Sequence, residues 1–276
     1  MDSQQKTHKP VEGHQIVKTQ MAGIKQIILV TSGKGGVGKS TVAAGLALSL
    51  ALGGHAVGLL DADIFGPSVP TLFHLTNENR PEVTEINGEQ MMQPYVRCEI
   101  KIMSIGFFFD EKQPVIWRGP MVSNALKQLI NQTNWGVLDY LIVDTPPGTG
   151  DVLITLLQQF EIAGAIVVTT PQLVAMADVK KTIGMLRDDN IGTDVIGIVE
   201  NMSWFTPTNH PDEKYYIFGR GGGQQLSETF NIPLLTQIPV NEELGVNCDE
   251  GNLKNMFSDN HIKEAFDALI LAVTSR

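Results

Sequence analysis

The chain predicts an α/β fold: a mostly parallel β-sheet with helices on both faces and a small β-hairpin insertion. Three observations predict it. Apolar, β-branched runs near residues 25–31, 56–60, 139–144, 165–170, 195–200 and 233–238 alternate with helix-length segments such as 151–160 and 174–187. Strands separated by helices pair in parallel through right-handed crossovers. The runs are apolar nearly throughout, as strands buried on both faces are. Acidic turns follow two of them, at the carboxyl edge where an open α/β sheet holds its ligands.

Residues 1–21 are polar, with His8, His14 and scattered lysines but no apolar periodicity. They read as a mobile tail, giving a tail over 1–22 and one domain over 23–276. The first strand, 25–31 (KQIILVT), runs into Gly33-Lys34-Gly35-Gly36-Val37-Gly38-Lys39-Ser40-Thr41. This fits the P-loop pattern G-x-x-x-x-G-K-[ST]. Its glycines let the backbone turn so that N–H groups point at phosphate oxygens. Lys39 would reach the β- and γ-phosphates, and the Ser40 hydroxyl would ligate Mg²⁺. Residues 41–52 (TVAAGLALSLAL) read as a helix stopped by Gly53-Gly54, which puts the phosphates at a helix N-terminus. The expected fold is thus that of a P-loop NTPase, and the expected cofactors are ATP and Mg²⁺.

Asp61-Ala62-Asp63 follows the second strand, and Asp144 ends the third. A strand-end carboxylate at this edge can hold Mg²⁺ through water, the role expected of Asp144. Pro146, Pro147, Gly148 and Gly150 stiffen and then release the segment behind it, so that it can take two arrangements. Residues 76–112 break the rhythm. Short runs near 91–95 and 99–105 suggest a β-hairpin insertion, and Phe107-Phe108-Phe109 beside them suits either a partner-facing patch or the core. At the C-terminus, Ile262, Phe266, Leu269, Ile270 and Val273 share one helical face. The other face carries Lys263, Glu264 and Asp267 without a basic cluster, so the helix is expected to dock on the domain and not on a membrane.

The chain has 276 residues, 42% hydrophobic and 18% charged, with a net charge of −10. The acidic balance disfavours nucleic-acid binding, which needs clustered Lys and Arg. No apolar run reaches the ~18 residues of a membrane span, and the N-terminus has no signal-peptide core. Two cysteines fit a reducing cytoplasm. The expected location is cytoplasmic, without nucleic-acid or membrane partners.

The order GKGGVGKST resembles the deviant Walker A loop of ATPases related to MinD, ParA and the nitrogenase iron protein. There the first lysine crosses a two-fold interface to the partner's phosphates. The resemblance implies an ATP-dependent homodimer with Lys34 acting in trans, beside Lys39 and Asp63 as catalytic residues. Asp61-Ala62-Asp63-Ile64-Phe65-Gly66-Pro67, Arg118-Gly119-Pro120, Asp144-Thr145-Pro146-Pro147-Gly148 and Glu200-Asn201-Met202-Ser203 together resemble the Mrp/ApbC family of iron–sulphur cluster carriers and scaffolds. That resemblance implies slow ATP hydrolysis and delivery of clusters to apoprotein acceptors. By the same likeness Asp63 orients the attacking water, Asp61 supports the Mg²⁺ shell and 146–150 is switch II. Asn201 meets the adenine edge, the alternative being a loop asparagine capping its own backbone.

The chain departs from that family in one respect. Cluster-binding members carry Cys-x-x-Cys just after the Asn-Met-Ser stretch, and two such pairs hold a [4Fe–4S] cluster across the dimer. Here the stretch reads Trp204-Phe205-Thr206-Pro207-Thr208-Asn209-His210, and the cysteines would fall near Pro207 and His210. Cys98 reads as a packed side chain in a strand. Cys248 is read as structural, with a reactive or ligating role as the weaker alternative, so the Fe–S ligands are unassigned. An ATP-dependent regulatory adaptor that carries no cluster is therefore the competing function.

Overall fold

The computed structural model describes residues 18–75, 80–108 and 119–276. Its central sheet has the strand order β10-β9-β8-β1-β7-β2-β6-β5. The expected strands are β1 (Ile24–Ser32), β2 (Val57–Asp61), β7 (Leu138–Asp144), β8 (Gly164–Thr169), β9 (Val195–Phe205) and β10 (Leu234–Val240). All pair in parallel. β2 and β8 are buried at every position, which is why they read as continuous apolar runs. Two helix groups cover the sheet: α1 (Lys39–Leu52) with α8 (Asn260–Thr274), and α3 (Gly119–Asn131) with α4 (Asp151–Gln159), followed by α5 (Leu173–Leu186) against α6 (Gly222–Phe230).

The insertion is present but its strands pair differently from the expectation. The run over 91–95 turns back onto earlier residues, in a two-stranded antiparallel hairpin of β3 (Val83–Ile86) and β4 (Glu89–Met92). Its turn is Asn87-Gly88, both with positive φ, at 54° and 85°, the residue pair most suited to a two-residue hairpin turn. The run over 99–105 instead gives β6 (Ile100–Ser104), a further parallel strand beside β2. Ile100, Ile102 and Met103 are fully buried, and a sheet interior accommodates that better than a protruding hairpin does. β5 (Tyr95–Arg97) closes the edge antiparallel to β6. Cys98 falls on the turn between them, with φ 50°, and not in a strand.

Phe107 is core, Phe108 packs partly buried against it, and Phe109 and Arg118 lie outside the described residues. The C-terminal helix docks as expected, with Ile262, Phe266, Leu269 and Val273 buried. Phe266 sits where a Cβ on Gly45 of α1 would collide with its ring, so the glycine sets how closely the two helices approach. Within the predicted tail, residues 1–17 lie outside the described residues. Thr19 bridges to Phe160, and the Lys18 ammonium donates to the carbonyls of Ile191 and Gly192 at 3.3 and 3.2 Å.

Candidate functional site

β1, β2, β7 and β9 all deliver polar residues to the carboxyl edge of the sheet. β1 runs into the glycine loop, where Gly36 and Gly38 have φ of 79° and 78°, a left-handed conformation that favours glycine. Gly38 is the N-cap of α1 and supplies no side-chain cap, so the first-turn N–H groups stay available to an anion. A cleft of about 290 Å³ lies over this loop, lined by Lys34, Gly36, Lys39, Ser40, Thr41 and Asp63 among others. Gly33 starts the loop against the backbone of α5, where a Cβ would meet Asp178 and Val179. Gly35 is exposed and Val37 is packed into the core.

Lys39 is the electrostatic centre of the cleft. Its side chain is buried, donates to Asp144 Oδ1 and lies 3.8 Å from Asp63 Oδ2. Asp61 and Asp144 are register partners on adjacent strands, and both are fully buried. Asp61 Oδ1 accepts from the Asp63 N–H at 3.1 Å, and Oδ2 accepts from the Val69 N–H at 3.1 Å and the Ser104 hydroxyl at 3.0 Å. Burial, with the Asp144 charge adding to it, raises the Asp61 carboxyl to about 7. Burial likewise raises Asp144 and Asp63, against the pull of Lys39. Ser40 also favours the charged form of Asp144, yet Asp144 Oδ2 is buried with no hydrogen-bond partner among the described residues. An orphaned carboxylate oxygen beside a second carboxylate and a hydroxyl suits a hard divalent cation with oxygen ligands. The residues present therefore fit Mg²⁺.

The segment after Asp144 is tied back to the loop. The Gly148 N–H donates to the Ser32 carbonyl at 2.7 Å, and the Ser32 hydroxyl donates to the Lys34 carbonyl at 2.9 Å. Lys34 itself is exposed and has no hydrogen bond or ion pair through its side chain among the described residues. Asn201 is 7% exposed and its Nδ2 donates to the Val37 carbonyl at 2.9 Å. It stands so close to Gly38 that any Cβ there would strike it. It thus touches the glycine loop and does not cap its own backbone.

The thiols form no comparable constellation. Cys248, in α7 (Glu242–Asp249), is 6% exposed, and burial raises it to about 11, away from the thiolate a metal needs. His210 is exposed, with Nδ1 3.7 Å from Glu213. Among the described residues, no group of three or more His, Cys, Asp and Glu is placed to hold a metal. A [4Fe–4S] cluster therefore has no four-thiolate site within one copy of the described chain.

Sequence patterns identified the loop lysines and strand-end carboxylates but missed Ser32 and Ser104, and they gave Glu200 no role of its own within the Glu200-Asn201-Met202-Ser203 stretch. Ser32 reaches the loop through the Lys34 carbonyl and Ser104 reaches Asp61 from 43 residues away, and no local motif marks either role. Residues 23–274 match the family model described as the NUBPL iron-transfer P-loop NTPase. An iron–sulfur cluster carrier protein of Synechocystis sp. is 49% identical over 228 residues, 83% of this chain and 64% of that protein. Another, of Aquifex aeolicus, is 47% identical over 251 residues, 90% of this chain and 67% of that protein. The chain thus spans slightly less than two thirds of the Synechocystis relative. A nucleotide-binding protein from Archaeoglobus fulgidus, solved in complex with ADP, superposes with a TM-score of 0.73 at 37% identity, covering 88% of this chain and 93% of that one.

Proposed function

Since this chain belongs to the family of NUBPL iron-transfer P-loop NTPases, we propose that it is a slow, homodimeric Mg²⁺-dependent ATPase of iron–sulphur cluster assembly. The carrying observation is the buried Lys39–Asp144–Asp63 cluster under an uncapped helix N-terminus. ATP brings the negative charge that Lys39 and the loop N–H groups are arranged to receive. Ser40 and Asp144 would hold Mg²⁺, with Asp61 supporting them; when bound, the ion neutralises charge on the phosphate oxygens. Asp63 orients the attacking water, and its raised pKa suits a group that accepts a proton. Lys34, with no side-chain partner among the described residues, serves the partner's phosphates. Gly33, Gly35, Gly36, Val37, Gly38 and Thr41 shape the phosphate loop, and Asn201 meets adenine.

Relatives named as cluster carriers support a role in delivering clusters to apoprotein acceptors. Among the described residues no helix is long and apolar enough to cross a membrane. The buried, high-pKa Cys248 and the lack of a thiol cluster favour a second reading of the cargo: an ATP-driven adaptor that regulates assembly without holding a cluster. Anaerobic reconstitution with iron and sulphide, on wild type and Cys248→Ser, separates the two. About four irons per dimer, lost in the variant, establishes a carrier using Cys248. No bound iron with ATPase activity intact establishes the adaptor.

A further inference from the structure

β9 does not end as a regular strand. Met202 takes φ 57°, a left-handed conformation that a non-glycine residue rarely adopts. The pairing of β9 with β10 slips register just beyond, between Ile238 and Val240. This bulge interrupts the in–out alternation of the strand immediately after Asn201. Glu200 holds the bulge. It is 1% exposed, and its carboxylate is saturated by three elements. Oε1 accepts from the Ser203 hydroxyl at 2.9 Å and from Gln237 Nε2 on β10 at 2.7 Å, and Oε2 accepts from the Gly223 N–H at the start of α6 at 2.5 Å. The Ser203 hydroxyl also reaches the Glu200 carbonyl at 2.8 Å, folding the chain back over Met202. A Cβ on Gly223 would fall 2.9 Å from Glu200 Cβ, so helix and glutamate fit closely.

Asn201 rides on this support. The Val37 carbonyl can only accept, so the NH₂ of Asn201 must face it. That leaves Oδ1, which makes no hydrogen bond among the described residues, as the free end of the amide. An acceptor in that position suits the amino group of adenine and opposes the keto oxygen of guanine.

We infer that Glu200 is a positioning residue for nucleotide recognition: it fixes the bulge that aims Asn201, and so sets both the affinity for ATP and the preference for adenine over guanine. This rests on the ATPase reading above. Glu200→Gln keeps the shape but removes the charge and turns an NH₂ either onto the Gly223 N–H or toward Ser203 and Gln237, which must then reorient to accept it. Combining Glu200→Gln with Gln237→Glu restores an acceptor for that NH₂, while the amide oxygen of the substituted side chain faces Gly223.

Steady-state kinetics with ATP and GTP provide the test. Glu200→Gln is expected to raise KM for ATP about tenfold, leave kcat within about twofold and shrink the ATP:GTP preference. The double variant should bring KM back, and Ser203→Ala should raise KM by about threefold. If Glu200→Gln does not fold, Ser203→Ala and the double variant decide. A fall in kcat at unchanged KM, or unchanged KM in all three, overturns the inference and leaves Glu200 purely structural. Asn201→Ala is the control. If it leaves ATP affinity unchanged, the adenine reading itself fails; if it weakens ATP binding while the Glu200 and Ser203 variants do not, only the positioning role fails.

Discussion

Lys34 lies on the rim of the phosphate cleft with its ammonium unengaged among the described residues, so truncating it leaves the fold intact. Lys34→Ala should change folding stability by less than about 0.5 kcal/mol and keep ATP binding, while hydrolysis falls by roughly 10³-fold or more, as when an arginine finger is lost. Full activity in this variant would sink the trans-lysine role. Asp61 makes a second, pH-dependent prediction. Its folded pKa of about 7 lies above its unfolded value of 3.8, so the folded state holds a proton that the unfolded chain has released in between. Its contribution is complete below pH 4 and is lost as pH rises through 7. Asp139 and Asp188, whose folded values are lowered by hydrogen bonds, act in the opposite sense and at lower pH. Thermal melts without nucleotide should therefore lose stability between pH 5 and about pH 7.5, and Asp61→Asn should flatten that slope; an unchanged slope would place its cause elsewhere. At this scale the loop and the strand-end carboxylates were legible because a local pattern encodes each of them. Glu200 was not: its partners Gly223 and Gln237 lie 23 and 37 residues away, and only folding shows them converging.

Elements were legible where burial is one-sided in its demands. β1, β2, β7 and β8 are apolar because both faces are covered, and they stood out as runs. β6 has the same character but sits next to short half-exposed strands, and its neighbours in sequence suggested a hairpin in place of the sheet. The Asn87-Gly88 turn that does make the hairpin was the better local signal. Replacing both by alanine forces two positive-φ positions onto residues that resist them. Amide exchange across 83–92 should accelerate while ATP turnover stays unchanged; a loss of turnover would mean that this hairpin serves the site. α8 offers a simpler test. Asp259 accepts from the His261 and Ile262 N–H groups at 2.8 and 3.1 Å, so Asp259→Ala should cost about 1 kcal/mol, read by chemical denaturation.

At the scale of the whole molecule, the alternation of strands and helices made the fold legible, whereas the assembly depends on surfaces that no single-chain pattern describes. The proposed roles, Lys34 in trans and Lys39 in cis, make a prediction that neither residue makes alone. Lys34→Ala and Lys39→Ala homodimers should both be inactive. Mixing them should restore turnover, because a heterodimer contains one site with an intact Lys39 and a lysine donated from across the interface. Activity that stays at background after exchange of subunits would exclude a shared site.

The site also satisfies the charge of Lys39 from within. Lys39 is already matched by Asp144 and Asp63, so a departing nucleotide leaves no bare cation behind. On the proposed ATPase reading, product release is an exchange of one set of anions for another already in place. On that reading, a protomer built this way never exposes an unpaired Lys39 between turnovers.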